Sequence, residues 1–195
     1  MNFPVPCSVI SDILGPCGPP TNVAKHWPLV ERAFDVEGIY SPFCAIAAIA
    51  TISVEARWFC PVKKRAAPSW LAGLYENRKD LGNVHPGDGV RFLGRGFVPI
   101  VGRRSYSYFG REIGADLTGD PDLALNPAIA AEILAVYFRD RGVRLVADQQ
   151  NWTMVRLRVL SPGTEWKRFF GVVLKLTEAL NSPPAPEQAI EDLGQ

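Results

Sequence analysis

Histidine is scarce in this chain of 195 residues, and no hydrophobic run is long. The two histidines, His26 and His85, stand far apart and have no partner at metal-ligand spacing. Both read as surface or hydrogen-bonded residues rather than ligands. The four cysteines, Cys7, Cys17, Cys44 and Cys60, show neither a metal-binding spacing nor a dense disulfide framework. Cys44 lies in an apolar run and reads as a small buried hydrophobe, while a Cys7–Cys17 bridge stays open. Such cysteine usage fits synthesis in the reducing cytoplasm. The longest apolar stretch, Pro42 to Val54, is too short to cross a bilayer. No Lys or Arg precedes the first apolar residues, and prolines interrupt them, so no secretory signal is expected. There is no GxSxG nucleophile motif, no Cys–His pairing, no nucleic-acid-binding motif and no internal repeat. GDGVRFLGRG lacks the Lys-Ser/Thr ending of a phosphate loop. No metal, cofactor or nucleic acid is therefore expected.

What is present suits one globular unit. An apolar fraction of 47% is too high for a disordered chain, and the length fits one large domain or two closely joined lobes. Net charge is only +1, but Arg57 to Arg111 holds eleven basic and three acidic residues, a local +8. That excess suggests attraction to a polyanion such as a bacterial envelope or nucleic acid, although no nucleic-acid motif accompanies it; a solvated surface laced with ion pairs explains it equally well.

The punctuation divides the chain into a lead-in, a helical body and a tail. Residues 1–20, rich in Pro and Gly, read as irregular. Thr21 or Asn22 can cap a helix to about Glu37, with Val23, Val30, Ala33 and Phe34 inward and Pro28 kinking it or marking its start. Ser41-Pro42 opens a second helix, SPFCAIAAIATISVEARWF, apolar nearly all round and so expected at the centre of a domain. APSWLAGLYEN reads as a helical turn and VRFLGRGFVPIV as bent strand. Further helices are expected over 103–113, from Asn126-Pro127 to Gly142, over 152–160 and over 164–180, before a polar, Pro-rich tail over 181–195. The expected class is mainly α with a small β element (α+β), in two lobes around a groove, with a single domain over 21–180.

Chemistry concentrates between Tyr75 and Gly102, which carries six glycines and two prolines. Glu76 opens that stretch, about twenty residues after Glu55. Two carboxylates on a rigid frame are what glycoside hydrolysis requires. Glu55 is flanked by Val54, Trp58 and Phe59 at the end of an apolar helix, where burial and the helix dipole favour the protonated form. Glu76 sits beside Arg78 and Lys79, which suits an ionised group. The bland alternatives are a salt bridge from Glu55 to Arg57, and one from Glu76 to Arg78 or Arg95. Trp58, Trp70, Tyr75, Tyr106 and Tyr108 could stack on sugar rings, Trp70 being the best candidate. Trp152 and Trp166 read as packing residues.

ATISVEARWFCPV followed by LYENRKDLGNVHPGDGVRFLGRGFVPIVGRRSYSYFG resembles glycoside hydrolase family 19. More closely it resembles the compact branch that includes chitinase-like bacterial proteins and phage endolysins of the lysozyme superfamily. NVAKHWPLVERAFDVEGI is similar to the first helix of those members, and the resemblance runs from about Asn22 to Phe170. It implies a lysozyme-like two-lobed fold and inverting cleavage of β-1,4 links in peptidoglycan or chitin. Glu55 would be the general acid and Glu76 the general base, with carboxyl groups about 6.5–9.5 Å apart. Tyr75, Arg78, Asp80, Asn83, Arg91, Gly94, Arg95 and Gly96 match the groove-wall scaffold; Tyr75, Arg78, Asn83, Arg95 and Ser105 are the expected substrate contacts. A bacteriolytic protein of this kind, made without a signal peptide, would reach the cell wall or periplasm after release or from a virion.

The chain also departs from the family pattern. Where members read IQLTGRxNY, it has Pro99 for a substrate-contacting Gln, Val101 for a water-holding Ser or Thr, and Ser105 for a sugar-contacting Asn. A groove-lining NGG-type loop aligns with Leu160-Ser161-Pro162, and the His usually before the acid is Val54. Each change removes a hydrogen-bonding group, at about 1–3 kcal/mol per unpaired buried partner. A glycan-binding or structural protein that has lost cleavage is therefore the alternative expectation.

Overall fold

The computed structural model describes residues 3–64, 73–159 and 165–182. Over these the protein is helical, with one small antiparallel pair of strands. Its helices are α1 (Cys7–Leu14), α2 (Pro20–Val36), α3 (Pro42–Glu55), α4 (Asp88–Arg91), α5 (Arg103–Ile113), α6 (Pro127–Asp140), α7 (Val143–Asp148), α8 (Trp152–Val159) and α9 (Trp166–Asn181). Strand β1 (Val62–Lys63) pairs with β2 (Arg95–Gly96), Val62 opposite Gly96.

The central element is α3. Ser41 caps it by accepting from the Cys44 N–H at 3.0 Å, and Pro42 takes the first helical position, where no N–H is needed. From Cys44 to Ala50 its side chains are apolar on every face, and Ala45, Ile46, Ile49 and Ile52 are fully buried. A helix without a polar side must be surrounded; α9 and α7 pack on it, α1 packs on α2 and α9, and α2 packs on α6. Small residues let these neighbours approach closely, and Cys44 is buried as one of them. All four cysteines are free, so Cys7 and Cys17 are unpaired.

Two hydrophobic clusters result. The larger surrounds α3; the smaller gathers Phe92, Ile100, Tyr106, Phe109, Leu117, Ile133 and Val136. Helix α6 serves both, with Ala130 and Leu134 in one and Ile133 and Val136 in the other, and Tyr137 packs against both.

Several local expectations are corrected. The lead-in is not irregular: α1 forms there, and Ile10 and Leu14 enter the core. Helix α2 starts at Pro20 without a side-chain cap, and Pro28 lies inside it; Val23, Val30, Ala33 and Phe34 are inward as expected. The core helix stops at Glu55, because Ala56 is extended and Trp58 and Phe59 have positive φ. Of VRFLGRGFVPIV only Arg95–Gly96 is strand, and its start belongs to α4. Helix α7 went unpredicted, being only six residues long. Residues 73–75 are helical; the rest of APSWLAG, residues 160–162 and the tail from 183 lie outside the described residues. Replacing the cap, Ser41→Ala, should cost about 1 kcal/mol in urea unfolding with an unchanged slope.

Candidate active site

Glu55 is the last residue of α3, and its side chain retains only 15% of its full exposure. Burial pushes its carboxyl above the ordinary carboxylate range; the positive charges of Lys64 and Arg156 pull the other way, and Glu165 adds to the rise. Lys64 Nζ stands 3.9 Å from Oε2. Arg57 is exposed and is not the partner. Arg156, on α8, is 3% exposed, its guanidinium 5.8 Å from the Phe169 ring centroid, and its Nε has no hydrogen-bond partner. A buried cation held near a carboxyl group readily accommodates that group's anion.

Glu76 is held differently. Its Oε1 accepts from Gly87 N–H at 2.7 Å and its Oε2 from Gly89 N–H at 2.8 Å. Neither ion pair considered for it forms, since Arg78 pairs with Asp80 at 2.6 Å and Arg95 with Asp122 at 2.6 Å. Each carboxylate oxygen keeps a lone pair beyond its backbone bond. The glycines are needed: Gly87 has φ +87°, and a Cβ on Gly89 would lie 2.6 Å from Glu76 N and 2.8 Å from its Oε2.

The loop is braced from beneath by Asp88, which is 1% exposed. It accepts from Arg103 Nε and Nη2 at 2.9 and 2.6 Å, and from the N–H groups of Val84 and His85. Arg103 lies over the Phe92 ring, 4.7 Å from its centroid, so the loop is seated on the smaller cluster. Asn83, fully buried, donates to Tyr75 O at 2.8 Å and accepts from Arg103 N–H at 2.8 Å. YENRKDLGN, PGDG and GRR are thus one hydrogen-bonded unit.

This decides where the expected substrate contacts fall. Asn83 is internal bracing. Arg95, 4% exposed, donates inward to Asp122, Arg91 O, Leu93 O and the Tyr106 hydroxyl. Both support the wall and have no exposed surface to offer a sugar. Arg78 is exposed but bound to Asp80 and Leu74 O; Tyr75 and Ser105 are half-buried. Tyr106 is core, and Tyr108 donates to Asp140 at 2.5 Å. Trp70 lies outside the described residues, whereas Trp58 is 61% exposed. Trp152 packs against Phe43 and Trp166 against Phe170.

Pro99 and Val101 flank Gly94 together with Lys64: a Cβ there would lie 3.0 Å from Pro99 Cβ, 3.0 Å from Lys64 Cγ and 3.5 Å from Val101 Cγ2. Two of the unusual positions therefore border the lysine that reaches Glu55. Among the described residues no cluster of His, Cys, Asp and Glu could hold a metal ion. His26 is buried and bonded to Phe59 O, and His85 is exposed. The basic segment is partly neutralised internally through Lys63, Lys64, Arg78, Arg95, Arg103 and Arg111. A cavity of about 500 Å³ lies elsewhere, between α2, α5 and α6, lined by neither Glu55 nor Glu76.

Sequence reasoning missed Asp88, Arg103 and Arg156 as parts of the site. The first two were visible only as members of a charged, glycine-rich string. Arg156, in an Arg-Leu-Arg alternation, carries no mark of burial.

The molecule is a mainly α protein with a small β element that carries one sheltered and one loop-bound carboxyl group. No family model matches the chain. A curated protein of Haemophilus influenzae (strain ATCC 51907 / DSM 11121 / KW20 / Rd), named a glycosyl hydrolase family 19 domain-containing protein, is 32% identical to it over 73 residues. The match takes in 34% of this chain and 36% of that protein's length. No described helix is long and apolar enough to cross a membrane.

Asp88 gives a pH prediction. Hydrogen bonding to Arg103, ahead of its other partners, lowers its carboxyl to about 2. The folded value lies below the unfolded one of about 3.9, so the stabilisation is complete above that pH and is lost as pH falls towards the folded value. Asp88→Asn should cost about 2 kcal/mol at pH 7, and the gap from wild type should shrink in urea melts between pH 4 and about 2.

Proposed function

We propose that this protein is a glycan hydrolase that cuts β-1,4 links of peptidoglycan, or of chitin-type polymers, with inversion. The observation that carries the reading is the contrast between two carboxyl groups on different clusters. Glu55 ends the buried helix of the larger one, sheltered and with its proton favoured; Glu76 is fixed by two backbone N–H groups on a loop seated over the smaller one. The partial match to a protein named for glycosyl hydrolase family 19 is consistent with it.

In this mechanism Glu55 gives its proton to the glycosidic oxygen as the bond to the anomeric carbon breaks. Lys64 and Arg156 stabilise the carboxylate it leaves. Glu76 takes a proton from water, which attacks the anomeric carbon from the opposite face. The product hemiacetal then has the α configuration. The Gly87 and Gly89 N–H groups orient Glu76, and a residual lone pair on an oxygen accepts the water's hydrogen. Such a substrate would be met at the cell wall, after release from the producing cell or from a particle.

A second reading, glycan binding without cleavage, is favoured by one observation. Apolar Pro99 and Val101 stand beside Lys64, where the resemblance places polar groups that hold substrate and water.

Reducing-end release from purified peptidoglycan and from chitin oligomers distinguishes the two. Wild type should release ends carrying the α-anomer, and Glu55→Gln should release none. Because burial raises Glu55, its ionisation weighs against the fold as pH rises from about 4.3 through the folded value. Glu55→Gln should therefore melt at or above the wild-type temperature at pH 7. Binding of both proteins to the wall with no ends released by either would establish the second reading. Arg156→Met removes a charge that lowers Glu55, so the alkaline limb of the kcat profile should move to higher pH; an unmoved limb would show that Arg156 does not act on the acid.

A further inference from the structure

Immediately after Glu55 the chain takes a conformation that side chains resist. Trp58 and Phe59 have φ of 59° and 55°, two consecutive left-handed residues with no glycine between them. Positive φ is uncommon outside glycine and is an outlier for bulky residues, and such strain persists only when its surroundings enforce it. Here α2 does so. Asn22 Nδ2 donates to Trp58 O at 2.8 Å, and the His26 ring, 3% exposed, donates from Nδ1 to Phe59 O at 2.8 Å. His26 is itself wedged edge-on against Phe97, which packs on Phe59.

The two side chains go to opposite environments. Phe59 is fully buried and anchors the turn in the larger cluster. Trp58 is 61% exposed, although a Trp is on average highly buried. Strain spent to bury a ring is ordinary packing. Here the same turn also holds a large aromatic face in solvent, three residues from Glu55 and so with its Cα no more than about 11 Å from that of Glu55.

We propose that Trp58 is a sugar-binding platform flanking the candidate acid. The apolar C–H face of a pyranose in the bound glycan stacks on its indole, and Asn22 and His26 are positioning residues that hold the indole ready. This rests on the glycan reading above and names a binding residue for the same site. A preset ring loses little conformational freedom on binding, so the strain is recovered as affinity.

The test is oligosaccharide binding followed by intrinsic fluorescence, in a Glu55→Gln background that prevents turnover, with soluble N-acetylglucosamine oligomers and solubilised peptidoglycan strands as probes. Adding Trp58→Ala or Trp58→Gly should weaken binding of the preferred probe by roughly tenfold or more. The Gly variant, freed from positive-φ strain, should melt above the Ala variant and no lower than its parent. In the active protein Trp58→Ala should raise KM more than it lowers kcat. Unchanged affinity, or a Gly variant that melts well below its parent, would make Trp58 a structural residue and overturn the proposal. Trp58-dependent binding by a wild type that releases no reducing ends keeps the platform and removes the hydrolase. Hydrolysis with a KM indifferent to Trp58 does the reverse, and neither binding nor hydrolysis removes both.

Discussion

The shelter of Glu55 rests on the burial of α3. A helix with no polar face has no stable place except among other helices, and α9, α7 and their neighbours close around it. Its last residue is acidic, so the packing that stabilises the helix also strips water from a carboxyl group. The charge of that group is then unwelcome unless a cation answers it. Lys64 at the surface and Arg156 from within are placed to do so, on opposite terms: one can move, the other is fixed by packing.

The surroundings of Glu76 are built from hydrogen bonds. Glu76 is held by two glycine N–H groups: Gly87 takes a positive φ, and at Gly89 the close approach leaves no room for a side chain. Asp88, Arg103 and Asn83 tie that loop into a unit in which buried polar atoms find partners, and Arg103 carries the unit onto Phe92. A hydrophobic scaffold for one carboxyl group and a polar scaffold for the other give two groups of the same type different chemistry. The left-handed turn at Trp58 and Phe59 joins the first scaffold to α2 and turns an aromatic face outward.

Much of this was legible in the residues. Ser41-Pro42 and Asn126-Pro127 named their helix starts because a capping oxygen followed by proline has few other uses, and both side chains do accept the expected N–H. The all-apolar run of α3 announced its central position. Periodicity was less help for short elements: α1 and α7 give too few turns for a pattern, and Pro and Gly around α1 suggested coil. In the candidate site, residue type pointed to Glu55 and Glu76 but not to their partners. Glu76 is answered by backbone N–H groups, which no side-chain pattern displays. Asn83 and Arg95 were expected as sugar contacts because the family resemblance matches them to the groove wall, yet their donors face inward. Trp58 stood among the aromatics that could stack on a sugar, behind Trp70, and only the backbone turn shows that it reaches the surface.

The claim at the centre is that packing keeps a proton on Glu55 where an exposed glutamate would have lost it. Titration of the side-chain carboxyl carbons by NMR, with Glu55 assigned from the Glu55→Gln spectrum, measures this directly. A midpoint clearly above the ordinary glutamate value of about 4.3 is the predicted result. A midpoint at or below that value would contradict the account, leaving an ordinary ion-paired carboxylate at the end of α3.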